Sequence, residues 1–379
     1  MKQEGYWFYL DSYVFPNCVD DQVLLYNTLD GSYLEAHDAE ISGLIRELLN
    51  KENAGVVFLS DSLYQKEGVH EFVDNVRAKF MGDLIDVNCS QGRPVQVLPY
   101  INYPDRRNLR GGFLGVDDIL RLLFELTVEV DQETNVSACC TFMRPIPDNL
   151  PVTICVARSN QAYVKPLLDF VRQATSNRYI SCSYQAISNA DYQFDADFVY
   201  KVAVDFPVNP TELHDVCDAL NAHHCKGVFT FHIGSVDEAE EAELLATQCG
   251  IKDYALKPCY RKDNYSFFHT HVFLSKSDIL SSQVTMKDLF KRNLFNTNDF
   301  GRLRITADGK VYANRFFPAL GSVEKDSIYA IIRKEITEGQ SWLRIRTQSP
   351  CDTCVYQWLC PSPSDYEIEL NRPNLCLTK

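Results

Sequence analysis

Between residues 92 and 297, short apolar runs alternate with amphipathic stretches, and this alternation restricts the fold more than any other feature of the chain. The runs 95–98, 152–156, 198–204 and 228–232 read as strands, and 117–126, 162–173, 211–222 and 236–247 read as helices. Strands and helices taken in turn predict an α/β architecture with a largely parallel sheet, open or closed into a partial barrel. Two helix starts are well marked. Thr211 follows Pro210, and Ser235 with Glu238 has the spacing of a capping box. In such units, binding sites gather at the C-terminal ends of the strands.

The flanks follow other rules. Residues 6–10, 22–26 and 32–35 read as three short strands, the last two joined by an Asp30-Gly31 turn into a hairpin, so a small antiparallel sheet is expected to open the chain. Asp38 offers an N-cap to a helix whose Ile41, Leu44, Ile45, Leu48 and Leu49 share one face. After a strand-like stretch at 56–59, a further helix is expected to carry Phe72, Val73, Val76 and Phe80 on one stripe. From about residue 298 the chain returns to strand and turn, with 303–306, an Asp308-Gly309 turn and 311–313. Three domains are expected: 1–90, 91–297 and 298–379.

Charge and cysteine usage narrow the function. The net charge of −14 and the lack of a Lys/Arg run argue against a nucleic-acid binder, because phosphate neutralisation needs a basic surface. Residues 1–90 hold 6 Lys/Arg against 16 Asp/Glu, a net of −10, which leaves −4 for the rest. The N-terminal unit is therefore expected to meet a basic partner, or to be a solvated acidic surface. No apolar run is long enough to span a bilayer, and Met1-Lys2-Gln3-Glu4-Gly5 lacks a signal-peptide pattern, so no membrane association and a cytoplasmic location are expected. In that setting the fourteen cysteines read as thiols or metal ligands rather than disulfides.

Four of them cluster. Cys351-x2-Cys354-x5-Cys360, followed by Cys376, offers the four sulfurs that tetrahedral zinc or a cubane iron-sulfur cluster requires. The run from Ile305 through Asp308-Gly309 to Asn314, the Ala319-Leu320-Gly321-Ser322-Val323 segment and Cys351-x2-Cys354-x5-Cys360-Pro361 together resemble the SPASM domain, the C-terminal auxiliary-cluster module of peptide-modifying radical-SAM enzymes. The family's pattern carries about seven cysteines for two clusters. Three of those positions are occupied here by Asn298 or a neighbour, Asn314 and Ser364, which align to one cluster. The remaining four, Cys351, Cys354, Cys360 and Cys376, match the ligand set of the other. The resemblance thus implies one [4Fe-4S] cluster, with zinc as the alternative.

The middle region is similar to the partial (β/α) barrel of the same enzymes, but the CxxxCxxC triplet that holds their S-adenosylmethionine-binding cluster is absent. Cys139 and Cys140, the thiols near the expected loop, read as core residues, and no cleavage of S-adenosylmethionine is expected. The N-terminal unit resembles the winged-helix-like precursor-peptide recognition element of these systems, which binds a leader peptide as an added strand. Mapped here, the strand edge is Ser32, Tyr33, Leu34 and Glu35, and the pocket-bearing helix carries Phe72, Val73, Val76, Arg77 and Phe80; proline at Leu34 is then expected to abolish binding. A plain winged-helix packing module is the other reading of that unit. The resemblance as a whole, to the pseudo-radical-SAM proteins that accompany Bacteroidales peptide-modification systems, implies a non-catalytic subunit. Such a subunit recognises a ribosomally synthesised precursor with a basic leader, beside a catalytic radical-SAM partner. The competing reading is a peptide-modifying enzyme or electron-relay protein using the remaining cluster. Elsewhere, His269 and His271 would share one face of a strand but lack a third ligand, His223-His224 suits a helix end, and Gly111-Gly112 with Gly115 lacks phosphate-loop spacing.

Overall fold

The computed structural model describes residues 4–99, 113, 118–156, 163–189 and 192–378. Gly111, Gly112 and Gly115 lie outside the described residues.

The N-terminal unit contains β1 (Gly5–Leu10), β2 (Val14–Val19), β3 (Gln22–Asn27), β4 (Tyr33–His37), α1 (Ala39–Leu49), β5 (Val56–Ser60), α2 (Asp61–Tyr64), α3 (Glu67–Ala78) and β6 (Gly82–Asp86). The hairpin of β3 and β4 forms as expected, and Asp38 accepts from the Glu40 and Ile41 amides to start α1. The single opening sheet does not form. There are two antiparallel sheets, β5-β1-β6 and β2-β3-β4, because β1 pairs with β5 and β6 while an additional strand, β2, pairs with β3. Pro16 within β2 hides that strand from propensity; its nitrogen faces away from β3, so no ladder bond is lost. Phe8, Val23, Leu25, Ile45, Val73 and Val76 form a shared core between the two sheets and the helices.

The α/β region contains β7 (Glu125–Val130), α4 (Val136–Met143), β8 (Val152–Val156), α5 (Lys165–Ala174), β9 (Arg178–Ser183), α6 (Tyr184–Ile187), β10 (Val199–Asp205), α7 (Pro210–Ala222), β11 (Lys226–Ile233), α8 (Val236–Gln248) and β12 (Tyr254–Pro258). The six strands are parallel and lie side by side in chain order. Three expectations need correction. The helix over 117–126 is one 3-10 turn, Ile119–Leu122, leading into β7, whose Glu-Leu-Thr-Val-Glu-Val alternation is a strand pattern. Residues 95–98 form no strand, and Val95 and Val97 are exposed. Glu238 completes the cap of α8 by accepting from the Gly234 amide rather than from Ser235.

After β12 come α9 (Tyr265–His271), α10 (Lys276–Ser281) and α11 (Met286–Leu294), then β13 (Arg302–Ile305), β14 (Lys310–Tyr312), β15 (Gly321–Ser322), α12 (Ile328–Glu338) and α13 (Asp365–Glu369). His269 and His271 lie on α9, not on a strand. Two residues apart on a helix they diverge, His269 toward Tyr265 and Phe273 and His271 toward Phe267. The Asp308-Gly309 turn forms with Gly309 at φ +77°, and β13 runs parallel to β7, so the hairpin beyond 298 extends the α/β sheet to nine strands. The cysteine segment then returns to the N-terminal unit, where Val355, Trp358 and Leu359 pack with Phe15, Leu24 and Tyr26. No helix among the described residues is long and apolar enough to cross a membrane.

Candidate functional site

All four C-terminal cysteines line one cavity of about 300 Å³. A 3-10 turn over Cys351–Thr353, closed by the Cys354 amide on the Cys351 carbonyl at 3.2 Å, brings the first two round. The Cys360 amide reaches the Tyr356 carbonyl. Cys376 is delivered from the chain end, where Leu274 donates to the Leu375 carbonyl and accepts from the Leu377 amide, both at 2.9 Å.

Donors surround the sulfurs. Arg346 Nη1 and Asn374 Nδ2 approach Cys351 Sγ at 3.9 and 3.7 Å, and the Thr378 amide donates to Cys376 Sγ at 3.4 Å. Burial pushes the Cys360 thiol up to about 12, with Arg346 pulling the other way, and raises Cys354. A metal entering the site must therefore displace protons, so its affinity rises with pH. The donor set fits a thiolate-bound group. Among the described residues no three His, Cys, Asp or Glu side chains converge closely enough for a single ion; the thiols stand round a cavity instead. Cys259 and the two histidines of α9 are not among its lining residues.

Asn298, Asn314 and Ser364 also meet. They line a second cavity, of about 700 Å³, at the polar face of the α/β sheet. Asn314 Nδ2 donates to Asp299 Oδ1 at 3.2 Å and to Asp365 Oδ1 at 2.6 Å, while Asn298 Nδ2 donates to the Ser362 and Pro363 carbonyls. Arg344 lies 3.5 Å from Asp299 and 3.7 Å from Asp365. Amides and an ion-paired guanidinium hold this corner together.

The polar sheet face went unnoticed in the sequence. Glu125, Thr127 and Glu129 alternate with buried Leu126, Val128 and Val130 along β7. Glu125 pairs with Lys201 and Arg302, Glu129 with Arg304 and Arg315, and Asp205 with His232. The signal was the regular polar alternation within β7, with Lys201 and Asp205 the polar residues of β10 on the same face. After β7, Asp131 and Thr134 close a turn and Asn135 caps α4; Cys139 is fully buried in the core and Cys140 packs against it, as expected of core thiols.

The strand edge has its own geometry. The sheet order is β2-β3-β4, so β4 is an edge. The Asn27 amide bonds the Ser32 carbonyl and the Asp38 amide bonds the Asp21 carbonyl, so the antiparallel alternation turns Leu34 and Ala36 toward β3 and leaves Tyr33, Glu35 and His37 with outward amides and carbonyls. Among the described residues nothing hydrogen-bonds those outward groups. Proline at Leu34 would thus break the hairpin rather than test the edge. The opposite edge, β2, presents Pro16 outward and is blunted.

Helix α3 runs along β4, with Gly68 beside Asp38 at its start and Lys79 near Asp30 at its end. Helical spacing puts Glu71 and Asn75 on the same side. The expected pocket residues need correction. Phe72, Val73 and Val76 are at most 4% exposed, seated in the core, and cannot form surface pockets. Arg77 is exposed but pairs with Asp83 at 2.7 Å, on the other side of the helix. Phe80 lies beyond the helix: at φ +54° it occupies the left-handed position of a Schellman cap, with the Met81 amide on the Val76 carbonyl, and is 78% exposed.

Comparison with protein-family models, with curated proteins and with solved structures finds no match to this chain.

Proposed function

We propose that this chain is a non-catalytic recognition and scaffold subunit of a radical-SAM-dependent peptide-maturation system, binding a basic leader as a strand added to β4. The observation that carries the reading is the asymmetry of the N-terminal sheet: β2 is blunted by Pro16, while β4 offers three outward amides beside α3. Further support comes from six parallel strands in chain order, as in a partial (β/α) barrel. It comes also from the meeting of Asn298, Asn314 and Ser364 in one cavity and of the four cysteines in another. Cys351, Cys354, Cys360 and Cys376 would hold one [4Fe-4S] cluster in the cavity they stand round, zinc as the alternative requiring them to draw closer together, and the bound group would supply a rigid four-thiolate crosslink.

A labelled Lys-rich peptide titrated into the full chain should bind, and its affinity should fall as salt rises, because the N-terminal unit carries −10. Tyr33→Pro or His37→Pro removes one outward amide and should weaken binding about tenfold or more. Salt-indifferent binding, or full affinity in both variants, would count against the reading. The competing enzymatic reading is tested separately. With S-adenosylmethionine and a strong reductant the purified chain should yield no 5′-deoxyadenosine, since no cysteine triplet follows β7.

A further inference from the structure

The sheet that ends in β4 is covered on both faces. Val14, Val23 and Leu25 meet α1 and α3, whereas Phe15, Leu24 and Tyr26 meet the cysteine-bearing segment and α10 to α11. Strand alternation gives Glu35 to the second face. There its carboxylate binds Lys276 Nζ at 2.7 Å and the Tyr356 hydroxyl at 2.5 Å, and the Lys276 ammonium lies 5.4 Å from the centre of the Tyr356 ring. Tyr356 stands between Cys354 and Cys360. Two further ties join the same strands to the cysteine site: Asn17 Nδ2 donates to the Val355 carbonyl at 2.7 Å, and Gln22 lines the cysteine cavity itself.

A strand added to β4 continues this sheet, so its side chains must point alternately to the two covered faces. One set meets α3 with Glu71 and Asn75. The other meets Lys276, half exposed, and the Tyr356 ring. Resting on the strand-edge reading above, we infer that the cysteine segment is the second wall of the peptide groove, and that filling the cysteine site holds this wall in place. The occupant is an extended peptide whose basic residues face α3. Toward Lys276 it carries apolar or acidic residues, because a lysine there meets like charge.

Two measurements test this. Affinity for the Lys-rich peptide is compared among the metal-loaded chain, the chain stripped by an iron and zinc chelator, and loaded Lys276→Ala and Tyr356→Phe. Stripping should weaken binding about tenfold, and Tyr356→Phe several-fold with metal content unchanged. Lys276→Ala should bind a peptide with consecutive lysines better than the parent does, relative to one with lysines at every second position. Deuterium exchange of residues 33–37 in the peptide-free chain should rise on stripping. Should stripping unfold the segment, the two loaded variants still decide the matter. Equal affinity in all forms, with unchanged exchange, overturns the second wall and leaves the strand edge standing; no binding to the loaded chain removes both.

Discussion

Serine at any one of positions 351, 354, 360 or 376 is expected to strip the site of its metal and to loosen the C-terminal segment. Three thiolates hold a four-ligand centre poorly, and for a small metal-organised segment the binding energy is folding energy, of the order of 10–16 kcal/mol for structural zinc at neutral pH. The four variants should behave alike, because all four sulfurs line one cavity. The damage should not stay local. Val355, Trp358 and Leu359 cover Phe15, Leu24 and Tyr26, so limited proteolysis should open new cuts both after about residue 298 and within β2 to β4. Serine at Cys139, Cys140 or Cys249 should leave metal content untouched, and so should serine at Cys259, which lines the other cavity. Full metal content in the Cys376 variant would remove the residue from the ligand set.

Alanine at Glu367 is expected to be the most damaging substitution outside the cysteines. Glu367 Oε1 pairs with Arg346 Nη2 at 2.9 Å, and the two side chains are only 4% and 9% exposed. Arg346 also donates to the Pro361 carbonyl at 2.6 Å and approaches Cys351 Sγ. Removing the carboxylate leaves a buried guanidinium uncompensated, a loss of about 3–5 kcal/mol. Replacing both partners by apolar residues of similar volume should recover much of it, at the expense of metal affinity, because Arg346 is the cation that opposes protonation of Cys360. Denaturant unfolding of the single and double variants checks this; a Glu367→Ala loss below about 1 kcal/mol would contradict it.

What could be read from the sequence follows the range of the interactions involved. The Asp38 cap, the β3–β4 hairpin and the starts of α7 and α8 are local, set by residues a few positions apart, and were legible. The apolar runs of β8, β10 and β11 were legible because the residues each strand turns toward the helices are apolar throughout, Val202 and Val204 in β10 and Phe229 and Phe231 in β11 among them. Strand β7 was not, since Ile119, Leu120, Leu122 and Leu123 just ahead of it mimic a helical stripe. Of the stripe Phe72, Val73, Val76 and Phe80, the first three share one buried face and Phe80 falls beyond the helix; periodicity says which residues are apolar together, not whether core or ligand covers them. The gathering of Cys351, Cys354, Cys360 and Cys376 round one cavity was anticipated from the spacing of the first three and, for Cys376, also from the family pattern. Its seating against the N-terminal sheet was not, because the Glu35–Tyr356 bond joins residues 321 positions apart.

The most direct test of peptide recognition is amide exchange read residue by residue across 33–37, with and without the Lys-rich peptide. In the free chain Leu34 and Ala36 should already be protected by β3, while Tyr33, Glu35 and His37 exchange freely. On binding, protection should appear at those three amides in alternation, the signature of a strand added at the edge. Binding that protects only residues elsewhere, such as the polar face of β7 and β10, would contradict the account.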